Sequence, residues 1–254
     1  MYIVIAMAGE GKRFKQYGFK EPKFMLMAKG RPLFDWAITS LRSFYHKGSF
    51  IFIAREGFDA YIERRCKVLG INSYNIITLN ALTDGQATTV MKGIQSLDHT
   101  KRLLIYNIDT YINPEAFQVH DIRPEYEGWL LLFSAPGDHW SFARLDNEGR
   151  VLEVTEKKRI SPFASTGLYY FKSVEIYKDI YLKRRDAIIK DYGEVYVAPL
   201  YTTLLQKHKL VGSKVIACED VVPLGKPEEV ATFDPEFFKT YNIIPPDHLS
   251  RVLS

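Results

Sequence analysis

Apolar positions in the first half of this chain fall into short dense runs, separated by stretches in which they recur at helical spacing. Runs rich in β-branched and aromatic residues at 2–7, 50–54, 75–79 and 103–108 predict four strands. Three helices are predicted between them. The first opens at Pro32, whose fixed φ suits a first turn, and puts Leu33, Ala37, Leu41 and Phe44 on one face. The second gathers Phe58, Ile62, Cys66 and Leu69 and stops at Gly70, a residue that readily takes a left-handed cap conformation. The third runs over about 86–97 with Val90, Ile94 and Leu97 inward. This alternation predicts an α/β fold: one Rossmann-like domain, a mostly parallel mixed sheet flanked by helices.

Beyond Asn113-Pro114 the runs lengthen, predicting strands at 129–135, 141–146, 151–156 and 167–171, with Asn147-Glu148-Gly149 as a hairpin turn. A long helix over about 173–190, a second near 198–208, a strand at 214–218 and a helix opened by Pro227 complete the pattern. No linker-like tract or repeat interrupts it. The expected organisation is one domain over 1–233, with a nucleotide-type half at 1–113 and an elaborated half at 114–233. Residues 234–254 form a C-terminal appendage.

Composition narrows the function classes. With 254 residues, 46% hydrophobic and 14% aromatic, the chain buries a substantial core, which excludes disorder, collagen and a disulfide scaffold. Its 34 Lys plus Arg against 30 Asp plus Glu leave a net charge of +4, scattered in pairs such as Arg64-Arg65 and Arg184-Arg185. That favours anions mildly and is no nucleic-acid footprint. Cys66 and Cys218 stand far apart without a CxxC or Cys/His cluster, so a structural metal or redox motif is not expected. No apolar run approaches the roughly 18 residues that span a bilayer. A reducing, cytoplasmic compartment is the expectation, with no membrane partner.

The densest candidate chemistry follows the first strand: Ala8-Gly9-Glu10-Gly11-Lys12-Arg13-Phe14, then Glu21-Pro22-Lys23. Two glycines let the backbone turn tightly and bring amides to an anion, and the nearby cations supply countercharge. Phosphate is the obvious guest. Phe14 takes the third glycine position of a dinucleotide fingerprint, and no GxxxxGK[ST] exists. Asp109 ends an apolar strand at the edge where open α/β sheets place ligands, and a carboxylate there suits Mg²⁺ on a polyphosphate. Gly85, in Asp84-Gly85-Gln86, lets a flat base approach the backbone. Glu156-Lys157 and Thr166-Gly167 offer an acceptor and a cation to a second substrate. Each group also has a structural role open to it: a strand-to-helix turn, a loop Asp bonding amides, a cross-strand ion pair, a bulge glycine. Trp140 and Tyr169 are equally at home in a core.

These segments, in this order, resemble the sugar-phosphate nucleotidyltransferase family of glycosyltransferase-A-like fold, which pairs a Gly-x-Gly-x-Arg loop with Pro-Lys and a Gly-Lys-Pro-Leu helix start; here the last reads Gly30-Arg31-Pro32-Leu33. Similarity is greatest to its capsule-biosynthesis branch, through 84–90, 140–146, 156–161 with 167–171, and Pro223-Leu224-Gly225-Lys226-Pro227. The resemblance implies attack of an acceptor phosphate on the α-phosphorus of a nucleoside triphosphate, CTP above all, with Mg²⁺ and release of pyrophosphate. The implied acceptor is phosphoglutamine or a sugar phosphate, and the implied product a capsular polysaccharide precursor. Lys23 and Arg13 become catalytic. Ala8, Gly9, Gly11, Lys12, Asn80, Asp84 and Gly85 bind the nucleotide, Asn80 standing where many relatives carry a base-reading Gln. Trp140, Glu156, Lys157, Thr166 and Gly167 face the acceptor, and Asp109 holds the metal.

Two departures from the family pattern matter. Trp140-Ser141 replaces the Tyr-Gly of many hexose-phosphate enzymes, and Val221-x-Pro223-x-Gly225-Lys226 replaces Trp-x-Asp-x-Gly-Thr, which removes the second metal carboxylate. Asp220 is its nearest substitute. The alternative is a glycosyltransferase-A-type enzyme using a nucleotide sugar, with Asn107-x-Asp109 as a relative of Asp-x-Asp; a silent binding subunit is a third reading. Assembly stays open between monomer and homodimer.

Overall fold

The computed structural model describes residues 1–245. β1 (Tyr2–Ala6), β4 (Ser49–Arg55), β5 (Tyr74–Leu79) and β6 (Leu103–Asn107) form the parallel part of a nine-stranded sheet, with β1 between β4 and β6. The apolar runs are near-continuous in β1, β4 and β6, which are covered on both faces, and interrupted in the edge strand β5, where no residue is fully buried. α2 (Leu33–Thr39), α3 (Asp59–Leu69) and α4 (Gln86–Gly93) connect them. Three helix boundaries here differ from the sequence reading: α2 ends at Thr39, so Leu41 and Phe44 lie beyond it, Phe44 in a separate 3₁₀ turn. Pro32 pairs with Met27 in a small ribbon, β2 (Met27–Ala28) with β3 (Arg31–Pro32), so α2 starts one residue later. α4 ends at Gly93 rather than 97, where the helix passes so close to Ile53 that a Cβ would collide with its side chain.

The second half continues the sheet in antiparallel fashion through β8 (Gly128–Ser134), β9 (Ser141–Leu145), β10 (Val151–Glu156) and β11 (Phe163–Phe171). β11 joins the halves by pairing with β6, Leu168 opposite Tyr106. It begins earlier than predicted because Gly167, at φ 85°, carries the strand through a bulge instead of opening it. α5 (Val174–Tyr192) matches its expected span, capped where the Ser173 hydroxyl accepts from the Ile176 amide. A 3₁₀ turn at Ala198–Leu200 leads into α6 (Tyr201–Gln206), and β12 (Val211–Ile216) pairs parallel to β8. The fold is thus a single mixed α/β domain with helices on both sheet faces.

Three short elements lacked a sequence signature: α1 (Lys12–Gln16), and the ribbon of β7 (Thr110–Ile112) with β13 (Val221–Pro223). Phe14 of α1 and Phe19 three residues past it pack against α7 (Pro227–Phe233) and α8 (Phe237–Thr240). The Phe19 and Phe237 rings stack with centroids 5.0 Å apart. Backbone amides of Met27 and Lys29 donate to the Tyr241 hydroxyl and the Asp234 carboxylate, each at 2.6 Å. Residues 234–243 therefore buttress the segment after β1, while the rest of the expected appendage, 246–254, lies outside the described residues. Among those residues no helix is long and apolar enough to cross a membrane. Phe237→Ala should cost about 3–5 kcal/mol, as removal of a fully buried aromatic does, and lower the urea midpoint with an unchanged m-value.

Candidate active site

The carboxyl ends of β1, β4 and β6 open into a cleft of about 710 Å³. Six cationic side chains, Lys12, Arg13, Lys15, Lys20, Lys23 and Arg55, line it against four carboxylates, Glu10, Asp84, Asp109 and Glu194. That excess selects an anionic guest. After β1 the chain leaves through Gly9, where a Cβ would meet nothing, and Gly11, left-handed at φ 63°, which starts α1. α1 thereby brings Arg13 to the cleft wall, and Lys12 pairs with Glu10 at 3.2 Å on the surface.

Lys23 follows Pro22 in a 3₁₀ turn, and its Nζ lies 3.0 Å from Asp109 Oδ2. The pair joins the glycine loop to the end of β6, residues 86 positions apart in sequence. Asp109 is further fixed by its backbone carbonyl, which accepts from the Leu224 amide at 2.8 Å. Next to it, Gly225 leaves a small seat: a Cβ there would lie 3.5 Å from Asp109 Oδ2 and 3.4 Å from Glu229 Oε2. Glu229 accepts from the Gly225 and Lys226 amides at 2.9 and 3.0 Å and so caps α7. Burial pushes its carboxyl above the usual glutamate range, Lys226 and the two amides opposing.

Asp220 is elsewhere. Its carboxylate accepts from Asn113 Nδ2 at 2.8 Å, at the end of the β7–β13 ribbon away from Asp109. The three-residue strands of the ribbon separate the two sites, four residue steps or roughly 13 Å along extended chain. The carboxylate that faces Asp109 across Gly225 is Glu229, which the sequence reading missed although Pro227 and an acidic pair at a helix start signal a cap. Asn107, two residues before Asp109, accepts from Gln86 Nε2, so Asn107-x-Asp109 presents one carboxylate.

The loop before α4 is clamped from the second half. Gly85 has φ 151°, and a Cβ there would lie 2.6 Å from the Val195 carbonyl oxygen. The Val195 amide donates to Asp84 O at 2.8 Å, and Ala87 N donates to Val195 O at 2.9 Å. Burial raises the Asp84 carboxyl, but its Thr88 and Arg185 partners outweigh that and hold it below the usual aspartate range. Asn80 is exposed and is not part of the cleft wall.

The acceptor candidates stand beside the cleft rather than in its wall. Ser141 Oγ donates to Glu156 Oε2 at 2.5 Å. Glu156 is only 6% exposed, and burial raises its carboxyl, with Ser141 and Lys157 opposing. Lys157, left-handed at φ 54°, donates to the Tyr196 hydroxyl and lies 4.3 Å above that ring. Tyr196 and Glu194 flank Val195, so this corner reaches the cleft through the clamp on Gly85. Trp140 packs edge-on to Phe133 at 5.3 Å and lies tilted against His139, centroids 4.7 Å apart. Thr166 is buried and donates to Leu131 O, a structural bond, and Gly167 lets β11 pass Asn107, whose Nδ2 would lie 2.6 Å from a Cβ.

The chain matches no protein-family model and no curated protein sequence. Among solved structures it is similar to the nucleoside-diphosphate-sugar pyrophosphorylase from Vibrio cholerae RC9, with 34% identity over 91% of this chain and 98% of that one, and a TM-score of 0.83. The inositol-1-phosphate CTP transferase from T. maritima, 16% identical over 90% of both chains with a TM-score of 0.70, shares the fold.

Glu156 binds a proton more tightly folded than unfolded, so its contribution to stability falls as pH rises from about 4.3 through its folded pKa and stays low above it. Glu156→Gln keeps an acceptor for Ser141 and removes that loss. It should melt above the parent at pH 7, and the gain should vanish below about pH 4. Thermal denaturation across pH checks this; identical melting at pH 7 contradicts it.

Proposed function

The chain belongs to the nucleoside-diphosphate-sugar pyrophosphorylase family of nucleotidyltransferases, and from that premise we propose that it transfers CMP from CTP to the phosphate of phosphoglutamine or a sugar phosphate. Pyrophosphate is released, and the product feeds capsular polysaccharide synthesis in the cytoplasm. What carries the reading is one cleft in which a glycine loop with Arg13, the Lys23 ammonium and the Asp109 carboxylate converge.

Phosphoryl transfer asks the protein mainly for positioning and charge neutralisation. An acceptor phosphate oxygen attacks the α-phosphorus in line, forming the new P–O bond as the bond to pyrophosphate breaks. The open amides at Gly9 and Gly11 and the Arg13 guanidinium hold the departing β- and γ-phosphates. Lys23 neutralises charge that builds on the α-phosphate, a role that requires its ammonium to exchange Asp109 for phosphate oxygen. Lys157 and Glu156 orient the acceptor.

The donor set at Gly225 fits a hard divalent cation. Asp109 and Glu229 border a seat the size of one added atom, both offer oxygen, and Mg²⁺ needs few protein ligands because it keeps waters and phosphate oxygens. Asp109, with Glu229 beside it, would hold the ion, which when bound supplies charge neutralisation on the triphosphate. Among the described residues no group of three or more His, Cys, Asp or Glu could hold a metal by itself.

Purified protein with Mg²⁺, CTP and phosphoglutamine, or a panel of sugar phosphates, should release pyrophosphate, measured by a coupled assay. Lys23→Ala should lower kcat by about 10²–10³-fold, the loss seen when one preorganised oxyanion donor is removed. Release that needs no acceptor, or that survives this substitution undiminished, refutes the assignment.

A further inference from the structure

β4 is buried from Phe50 to Ala54, and its last residue, Arg55, is half-buried in the cleft wall. Strand alternation places Arg55 on the same face as Ile53, the residue that packs against Gly93 of α4. Arg55 therefore emerges toward the start of α4, where Thr83, Asp84 and Gly85 form the loop clamped by Val195. Register confirms the level. Ile53 lies opposite Ala6 of β1, and Arg55 itself opposite Leu79 of β5. Two residues past these pairs the neighbouring chains are Ala8 on one side and the 80–85 loop on the other. Phe58 and Leu82 stand in the same stretch of wall, Leu82 49% exposed, and present apolar edges to a flat guest.

Among the described residues the Arg55 side chain has no hydrogen bond and no ion pair, although Lys12 and Lys23 in the same cleft each face a carboxylate. A guanidinium only donates, through a planar fork matched to two adjacent acceptors. Its nitrogens are not buried but open into the cleft, free to donate to a ligand whose two acceptors fill the fork. On cytosine, N3 and O2 are adjacent acceptors. Uracil and thymine carry N3–H at that place and turn a donor toward the fork. Guanine offers O6 and N7 on its other edge, but the pyrimidine is the base already proposed.

We propose that Arg55 reads the nucleotide base, donating to N3 and O2 of cytosine and thereby selecting CTP over UTP. The inference rests on the nucleotidyltransferase reading, but it concerns binding and is tested without any acceptor. Calorimetric titration of the full chain in Mg²⁺ buffer with CTP, UTP and GTP compares the parent with Arg55→Met and Arg55→Lys, thermal melting showing that each variant is folded. The parent should bind CTP most tightly. Arg55→Met should weaken CTP by about 10- to 100-fold, the discrimination one bidentate guanidinium–base pair supplies, and bring the CTP:UTP ratio close to one. Arg55→Lys, which keeps the charge and loses the fork, should lose the ratio as well. Equal losses for CTP and UTP would make Arg55 a phosphate ligand and overturn the proposal, as would a parent that binds UTP or GTP as tightly as CTP, or no triphosphate. Arg55-dependent CTP preference without pyrophosphate release for any acceptor would uphold Arg55 and remove the transferase reading.

Discussion

The pairing of β6 with β11 is the constraint on which the rest of the molecule depends. β6 runs parallel to β1 on one side and antiparallel to β11 on the other, so one five-residue strand carries both halves of the sheet. The two strands can approach at their site end only because residue 167 has no Cβ, which would otherwise press on Asn107. Asn107, so placed, accepts from Gln86 at the start of α4. Two residues further the chain reaches Asp109. A packing requirement between halves thus sets the position of the loop before α4 and of the cleft's carboxylate together.

The second organising force is charge kept unbalanced. The cleft carries more cations than carboxylates, and Lys23 and Asp109 partly compensate each other across it. Beside it, Glu156 is buried with one short hydrogen bond, and burial raises its carboxyl. A buried carboxylate without a full set of partners lowers stability at neutral pH. Sites arranged for binding often retain groups that folding alone would not favour.

α1, five residues long, could not hold its shape by helix propensity alone, because nucleation is costly and short helices are marginal in water. It is held from outside. Tyr17 donates to Glu228 on α7, and the aromatic rings of α8 pack on Phe19. On the next residue of α7, Glu229 binds the amides beside Asp109. One turn of helix near the C-terminus thereby supports both the cation loop and the carboxylate side of the cleft. This explains why residues past 233, which sequence patterning leaves without a role, are built into the site's support.

Strands buried on both faces and helices with an apolar stripe were legible from the sequence, since a period of two or 3.6 residues records which side faces the core. The gathering of Gly9, Gly11, Asp109 and Gly85 along one cleft wall was legible too, because glycines and charges directly after apolar strands mark the carboxyl edge of an α/β sheet. Elements of two to five residues, such as α1 and the two ribbons, are too short to carry a period. Asp220 and Glu229 show the limit most plainly. Proximity in sequence to Pro223 favoured the first, but a two-stranded ribbon runs extended and takes Asp220 away, while the turn into α7 brings Glu229 back. Asn80 and Arg55 differ in the same way, since only the register of β4 against β1 and β5 shows which side chain reaches the cleft. The sequence by itself determined the fold class and the sheet edge at which the cleft lies. Which distant side chains meet there was decided by the tertiary structure, because close approach across the sheet depends on register and on missing Cβ atoms, and neither leaves a periodic trace in the chain.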